Sequence, residues 1–109
     1  DISMKTNVSA LARLLGRGVK CRYFDHHAAG VIPTHARLSA HIDTAPDVCT
    51  SLIVDRYLSG RQRAWAVVAA FGDNLVAPAL RAAQLACLRA GGRQAEPKSW
   101  AGHVLLGRR

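Results

Sequence analysis

The run Val19–Phe24 constrains the fold most, because it ends directly in three polar residues, Asp25, His26 and His27. A short run rich in apolar and aromatic residues is typical of a buried strand. A carboxylate beside two imidazoles is costly to hold together at the end of such a strand without a chemical role. The sequence therefore predicts a strand whose carboxyl end carries a functional site.

A helix is predicted just before this strand, over Asn7–Leu15, where apolar residues recur at helical spacing and Asn7 can serve as the cap. Residues Asp1–Ser3 are interpreted as the tail of an earlier strand. Strand, helix and strand in this order form a βαβ unit with parallel strands and a right-handed crossover. We therefore expect an α/β fold, a partial Rossmann-like parallel sheet with flanking helices.

The remaining pattern predicts a second strand and three more helices. A loop over Ala28–Ala36 leads to a strand over Leu38–Ile42, and the helices follow over Val48–Leu58 with Asp47 as cap, Arg61–Phe71, and Ala79–Ala90. The middle helix is apolar on nearly every side, which predicts that it is buried. The expected organisation is one partial domain over residues 1–92 and an irregular tail over 93–109.

Composition restricts the compartment and the partners. Three cysteines, Cys21, Cys49 and Cys87, lie far apart with no CxxC pair, which argues against a disulfide framework or a structural zinc knuckle. We expect a cytoplasmic protein with no membrane segment. The net charge of +8 is compatible with anionic partners. Basic residues do not alternate with aromatic ones along the sequence, so a stacking platform for single-stranded nucleic acid is not expected.

Ligands of parallel sheets bind beyond the carboxyl ends of the strands, where Asp1 and Asp25 are predicted to lie. Adjacent strands are about 4.8 Å apart, so carboxylates at neighbouring strand ends can share a metal. Imidazole and carboxylate together suit Mn²⁺, Fe²⁺ or Zn²⁺. Asp73, which follows the predicted buried helix, is either a further ligand or a turn residue after that helix.

Other polar residues are weaker candidates. Asp43, two residues after His41, is interpreted as a loop or cap residue rather than a ligand. Cys49 lies near a predicted helix start, where a thiol pKa can fall, so a Cys-His hydrolase is a formal competitor. No oxyanion arrangement is readable around Cys49, and it more naturally seats that helix.

The segment Phe24–His27 resembles the signature of the DHH phosphoesterase superfamily, and the similarity extends over about residues 1–75. The resemblance implies a two-metal site, usually with manganese, that hydrolyses phosphate esters or phosphoanhydrides. It further implies that Asp1, His26 and Asp73 bind metal, that His27 contacts the phosphate, and that Asp25 supports the site. The implied substrate is a nucleotide, a short oligonucleotide or polyphosphate.

The chain also departs from the family pattern. The Asp-x-Asp motif of the family's first strand would precede Asp1, and residues 93–109 do not resemble the family's substrate domain. We therefore expect a fragment with little or no activity by itself. The alternatives are an inactive truncated stub or a non-catalytic domain with a regulatory or nucleic-acid-binding role.

Overall fold

The computed structural model describes residues 3–90 as a small mixed α/β domain with four helices and a two-stranded parallel sheet. Its elements in chain order are α1 (Met4–Gly16), β1 (Cys21–Asp25), β2 (Leu38–Ile42), α2 (Thr50–Tyr57), α3 (Arg63–Gly72) and α4 (Val76–Ala90). The two strands pair in register from Cys21 opposite Leu38 to Asp25 opposite Ile42. The predicted α/β class and a parallel sheet are confirmed, whereas the predicted βαβ pairing with a strand at Asp1–Ser3 reaches beyond the described residues and stays a prediction.

The first hydrophobic cluster joins α1 to one face of the sheet. Met4, Leu11 and Leu15 of α1 are buried there with Ala29, and alternate strand residues pack against them. Those strand residues are Cys21, Tyr23, Leu38, Ala40 and Ile42. Because side chains alternate across a strand, the remaining strand residues point to the opposite face of the sheet. We call these two sides the inner face, which contacts α1, and the outer face.

The second cluster lies among the three later helices. Cys49, Ala70 and Ala79 are fully buried, and Leu52, Val67 and Leu75 pack around them. Small side chains at these positions allow α3 and α4 to approach closely. This cluster therefore depends on close helix packing rather than on large apolar side chains.

Helix α1 begins at Met4, three residues before the predicted cap Asn7. Ser3 occupies the cap position, but its side chain accepts no hydrogen bond from a backbone N–H of the first turn. The Met4 backbone N–H instead donates to Asp25 Oδ2 at 2.8 Å, so a residue 21 positions away satisfies one N–H group of the first turn. The prediction of Asn7 as cap was wrong because the capping group comes from β1.

Helix α2, by contrast, begins later than predicted, at Thr50, with Cys49 as the cap residue. Asp47 does not cap it, because its carboxylate accepts a hydrogen bond from Arg81 of α4 at 3.2 Å. Helix α4 begins at Val76 rather than Ala79, and Pro78 fits in its first turn, where the missing N–H has no helical partner to lose. Helix α3 begins at Arg63, two residues after its predicted start at Arg61, and ends at Gly72, one residue beyond its predicted end at Phe71.

The prediction that α3 is buried on nearly every side was wrong. Ala66 and Ala70 are buried, but Trp65 is 73% exposed and Val68 is 63% exposed. Within residues 3–90, α3 packs against α2 and α4. An apolar sequence predicts that a surface can be buried, but the number of neighbouring elements decides how much of it is buried.

Some predictions fall on residues that lie outside the described range. These are the strand tail at Asp1 and Ile2 and the irregular tail over 93–109. Within residues 3–90, none of the helices combines the length and the apolar character needed to cross a membrane.

Candidate functional site

Asp25 is the last residue of β1, and its side chain is almost completely buried, with 2% of the residue exposed. Its Oδ2 accepts the Met4 N–H, and its Oδ1 accepts the backbone N–H of His27 at 3.0 Å. His27 Nδ1 lies 2.8 Å from the same Oδ1. The carboxylate thus connects three parts of the chain: the start of α1, the end of β1 and the following turn.

Competing effects set the pKa of Asp25. Burial raises the pKa, because a buried carboxylate loses its hydration. Hydrogen bonds from the backbone and side chain of His27 and from the Met4 backbone, together with the charge of His27, outweigh burial. The pKa of Asp25 therefore lies below its usual value, and this side chain is an anion at neutral pH. Its position at the positive end of α1 favours the same charge state.

Both histidine rings after Asp25 are held through Nδ1. His26 Nδ1 lies 3.0 Å from the carbonyl oxygen of Val48, just before α2. A carbonyl oxygen can only accept, so Nδ1 carries the hydrogen and Nε2 of the neutral ring carries the lone pair. His27 is oriented in the same way by Asp25. The two rings meet edge to face, with centroids 4.2 Å apart.

Asp73 follows α3 as its C-cap residue, and it is exposed. Asp1, the other carboxylate that the resemblance assigns to a metal, lies outside residues 3–90. Within that range, no group of three or more His, Cys, Asp or Glu side chains is arranged to hold a metal ion. The structure thus brings Asp25, His26 and His27 together, and the roles of Asp1 and Asp73 as metal ligands stay predictions.

The weaker candidates have structural contacts. Asp43 accepts hydrogen bonds from Arg56 at 2.7 Å and from the backbone N–H of Ala45 at 3.2 Å. The hydrogen bond and the charge of Arg56, with the Ala45 bond, lower the pKa of Asp43. Cys49 is fully buried, and its Sγ lies 3.1 Å from Ser51 Oγ, so the thiol packs within the second cluster.

Sequence reasoning missed a second buried carboxylate, Asp55 of α2. Asp55 is 3% exposed, and its Oδ2 accepts a hydrogen bond from Arg63 Nε at 2.7 Å. Asp55 Oδ1 and Arg63 Nη1 are both buried and have no hydrogen-bond partner within residues 3–90. An Arg eight residues after an Asp is a common spacing, so the sequence offered no signal that this pair is buried.

Comparison with protein-family models, with curated proteins and with solved structures finds no match for this chain.

Proposed function

We propose that Asp25, His26 and His27 belong to the site of a metal-dependent phosphoesterase of the DHH type. One observation carries the proposal: both imidazoles donate through Nδ1, to the Val48 carbonyl and to the Asp25 carboxylate. Histidine ligands of metals are typically held in this way, since the second bond fixes the tautomer and raises the basicity of the other nitrogen. The location at the carboxyl end of a parallel strand is also where α/β sheets bind ligands.

The three residues have different proposed roles: His26 binds the metal, Asp25 positions its neighbours, and His27 contacts the substrate. His26 Nε2 suits Mn²⁺, Fe²⁺ or Zn²⁺, and manganese is the ion that the resemblance implies. Asp25 uses both carboxylate oxygens in hydrogen bonds within the protein, so it positions His27 and the start of α1. His27, whose side chain is 40% exposed, is accessible to a phosphoryl oxygen of a substrate.

A bound metal would supply an activated water and offset the charge that develops on the phosphoryl group. The imidazole donor fits such an ion. The carboxylates that would complete the ligand set are not gathered around His26 within residues 3–90. The proposed substrates are phosphate esters or phosphoanhydrides of a nucleotide, a short oligonucleotide or polyphosphate.

A non-catalytic role for the same residues is the second candidate. The exposed position of Asp73 and the incomplete ligand set among residues 3–90 favour it. In this role, the contacts of Asp25 serve only to hold α1, β1 and the segment before α2 together. The two candidates differ in whether His26 binds a metal ion.

Mn²⁺ binding by the 109-residue chain tests the proposal, with free Mn²⁺ measured by electron paramagnetic resonance. We expect His26→Ala to weaken binding at least about tenfold, the range seen when a metal site loses a group. His35→Ala is the matched control, because His35 is an exposed histidine in the β1–β2 connection. Circular dichroism would confirm that both variants fold.

The outcomes separate the two candidates. Equal Mn²⁺ binding by the wild type and His26→Ala would show that His26 does not bind the metal, and it would favour the non-catalytic role. Selective loss in His26→Ala, together with Mn²⁺-dependent hydrolysis of a chromogenic phosphodiester, would support the phosphoesterase. Selective loss without hydrolysis would support a metal site and argue against catalysis by this chain.

A further inference from the structure

We propose that the outer face of the sheet binds single-stranded nucleic acid, at a site separate from the histidine turn. Strand pairing places Arg22 opposite Ser39 and Phe24 opposite His41 on this face. Helix α2 adds Tyr57 beside them. None of these residues takes part in the contacts of Asp25, His26 or His27 described above.

Three rings form a continuous aromatic surface there. Phe24 and His41 stack with centroids 4.7 Å apart and planes only 9° from parallel. Tyr57 meets both rings edge to face, at 5.2 Å from Phe24 and 5.0 Å from His41. Ser39 Oγ lies 3.0 Å from His41 Nε2 and helps to fix that ring. The rings are therefore held in place before any ligand arrives.

This surface is accessible to a ligand. Tyr57 is 43% exposed, and Phe24 and His41 are each half-buried. Nucleobases stack on exposed aromatic side chains whatever their sequence, because every base has a π-face.

Cations lie beside the rings. The guanidinium carbon of Arg22 is 5.6 Å from the centre of the Tyr57 ring, within the range of a cation–π contact. Arg22 and Ser39 also line a groove of about 430 Å³ together with Lys20 and Arg37. None of these three cations forms an ion pair with a carboxylate of residues 3–90.

A glycine with a positive φ lies at the edge of the groove. Gly18 has φ of +81° and lies directly against Arg37. A Cβ at Gly18 would come within 2.7 Å of Arg37 Nη1, so any other residue would displace the guanidinium. The turn after α1 thus leaves room for Arg37 at the edge of the groove.

The charge of this end of the molecule selects an anionic partner. Lys20, Arg22 and Arg37 line the groove, and residues 18–24 contain no carboxylate. On the outer face, the nearest carboxylate along β2 is Asp43, which is bonded to Arg56. An acidic peptide would use the cations but leave the rings unused, whereas single-stranded nucleic acid uses both.

Binding of fluorescein-labelled twelve-nucleotide oligomers, rU12 and dT12, tests the proposal by fluorescence anisotropy with the 109-residue chain. Inorganic polyphosphate of similar charge is the comparison, because it carries phosphates without bases. We expect Tyr57→Leu to weaken oligomer binding by about 5- to 100-fold, the range for loss of one stacking partner. Polyphosphate binding should not change, and Tyr57→Phe should bind oligomers as the wild type does.

Arg22→Gln supplies an independent test, because Arg22 is exposed and its replacement leaves the packing intact. We expect this change to weaken both ligands and to reduce the slope of log K against log salt by about 0.7, the contribution of one phosphate contact on a single strand. Trp65→Leu removes an aromatic residue of α3 that is even more exposed than Tyr57 and is the control, with no change expected.

Two results would overturn the proposal. One is unaltered oligomer binding in both folded Tyr57→Leu and Arg22→Gln. The other is an equal loss of oligomer and polyphosphate in Tyr57→Leu, which would reduce the surface to a general anion site. Selective loss of either oligomer supports it, and the tighter of rU12 and dT12 would show which of these two oligomers the surface prefers.

Discussion

The two halves of this domain each bury one aspartate, and they stabilise it in different ways. In the sheet half, Asp25 accepts hydrogen bonds from the backbone N–H groups of Met4 and His27 and from the imidazole of His27, so both of its oxygens are satisfied. In the helical half, Asp55 Oδ2 accepts a hydrogen bond from Arg63, and Asp55 Oδ1 has no hydrogen-bond partner within residues 3–90. In the sheet half, the buried carboxylate thus holds the turn that carries the histidines. In the helical half, the buried carboxylate forms a single ion pair.

The hydrophobic clusters of the two halves also differ, in the size of the side chains that they bury. The sheet half buries long side chains, Met4, Leu11 and Leu15, whereas the helical half buries Cys49, Ala70 and Ala79. Large apolar side chains contribute more to stability through burial, since the gain scales with apolar area. We infer that the sheet half derives its stability mainly from packing and that the helical half depends more on its buried ion pair.

The largest expected loss of stability comes from a substitution in the helical half. Arg63→Met leaves the Asp55 carboxylate buried without its partner, which costs about 3–5 kcal/mol. Urea unfolding followed by circular dichroism measures the loss. Arg81→Met is the control, because Arg81 and Asp47 are both largely exposed and such pairs contribute about 0–1 kcal/mol.

A double variant sharpens the same comparison. Asp55→Ala combined with Arg63→Met removes both charges and should recover part of the stability that Arg63→Met loses. A double variant no more stable than Arg63→Met would show that the loss came from the packing of the Arg63 side chain rather than from the unpaired charge.

The next effect concerns packing in the sheet half. Leu11→Ala removes a buried side chain between α1 and the sheet, and we expect a loss of about 2–5 kcal/mol in the free energy of unfolding. Leu14→Ala on the same helix is the control, because Leu14 is exposed and its replacement should change stability by about 0.5 kcal/mol or less. Similar losses in the two variants would contradict the assignment of the cluster to the Leu11 side of α1.

The smallest of the three effects is Asp25→Asn, with an expected loss of about 1–3 kcal/mol at pH 7, as for hydrogen-bond donors left unsatisfied. Asparagine has one acceptor oxygen, so it cannot serve Met4 on one side and His27 on the other. Its amide N–H₂ would face one of these donors. Urea unfolding at pH 7 measures the difference from the wild type.

The difference in stability between the wild type and Asp25→Asn should change with pH in one direction only. The pKa of Asp25 is lowered in the folded protein, so its carboxylate stabilises the fold above its unfolded pKa, near the usual 3.8. That stabilisation is lost as the pH falls through the folded value. The difference between the wild type and Asp25→Asn should therefore be constant above about pH 5 and shrink at lower pH. A difference that grows with acidity would contradict the role given to Asp25.

Local patterns predicted a large share of the fold. The strand over Leu38–Ile42 lies where the sequence placed it, α3 ends within one residue of its predicted end at Phe71, and four helices were expected. The position of Asp25, His26 and His27 at the carboxyl end of β1 was also predicted. Apolar periodicity and glycine stops act over a few residues, so a sequence read locally contains this information.

Other features depended on residues far apart in the chain. Met4 begins α1 because Asp25 receives its N–H, and the exposure of Trp65 follows from which elements pack on α3. The aromatic surface of Phe24, His41 and Tyr57 forms only because two strands pair in register and α2 lies beside them. The sequence alone showed no basic and aromatic alternation at these positions.

The sequence by itself therefore determined the α/β class, most of the elements and the polar residues that stand at the end of β1. Tertiary structure decided which carboxylate caps a helix, which apolar helix face stays exposed, and which aromatic rings meet an arginine. The physical reason is that secondary structure responds to neighbours within a few residues, whereas burial, capping by distant groups and ring contacts depend on packing between elements that the chain brings together only when it folds.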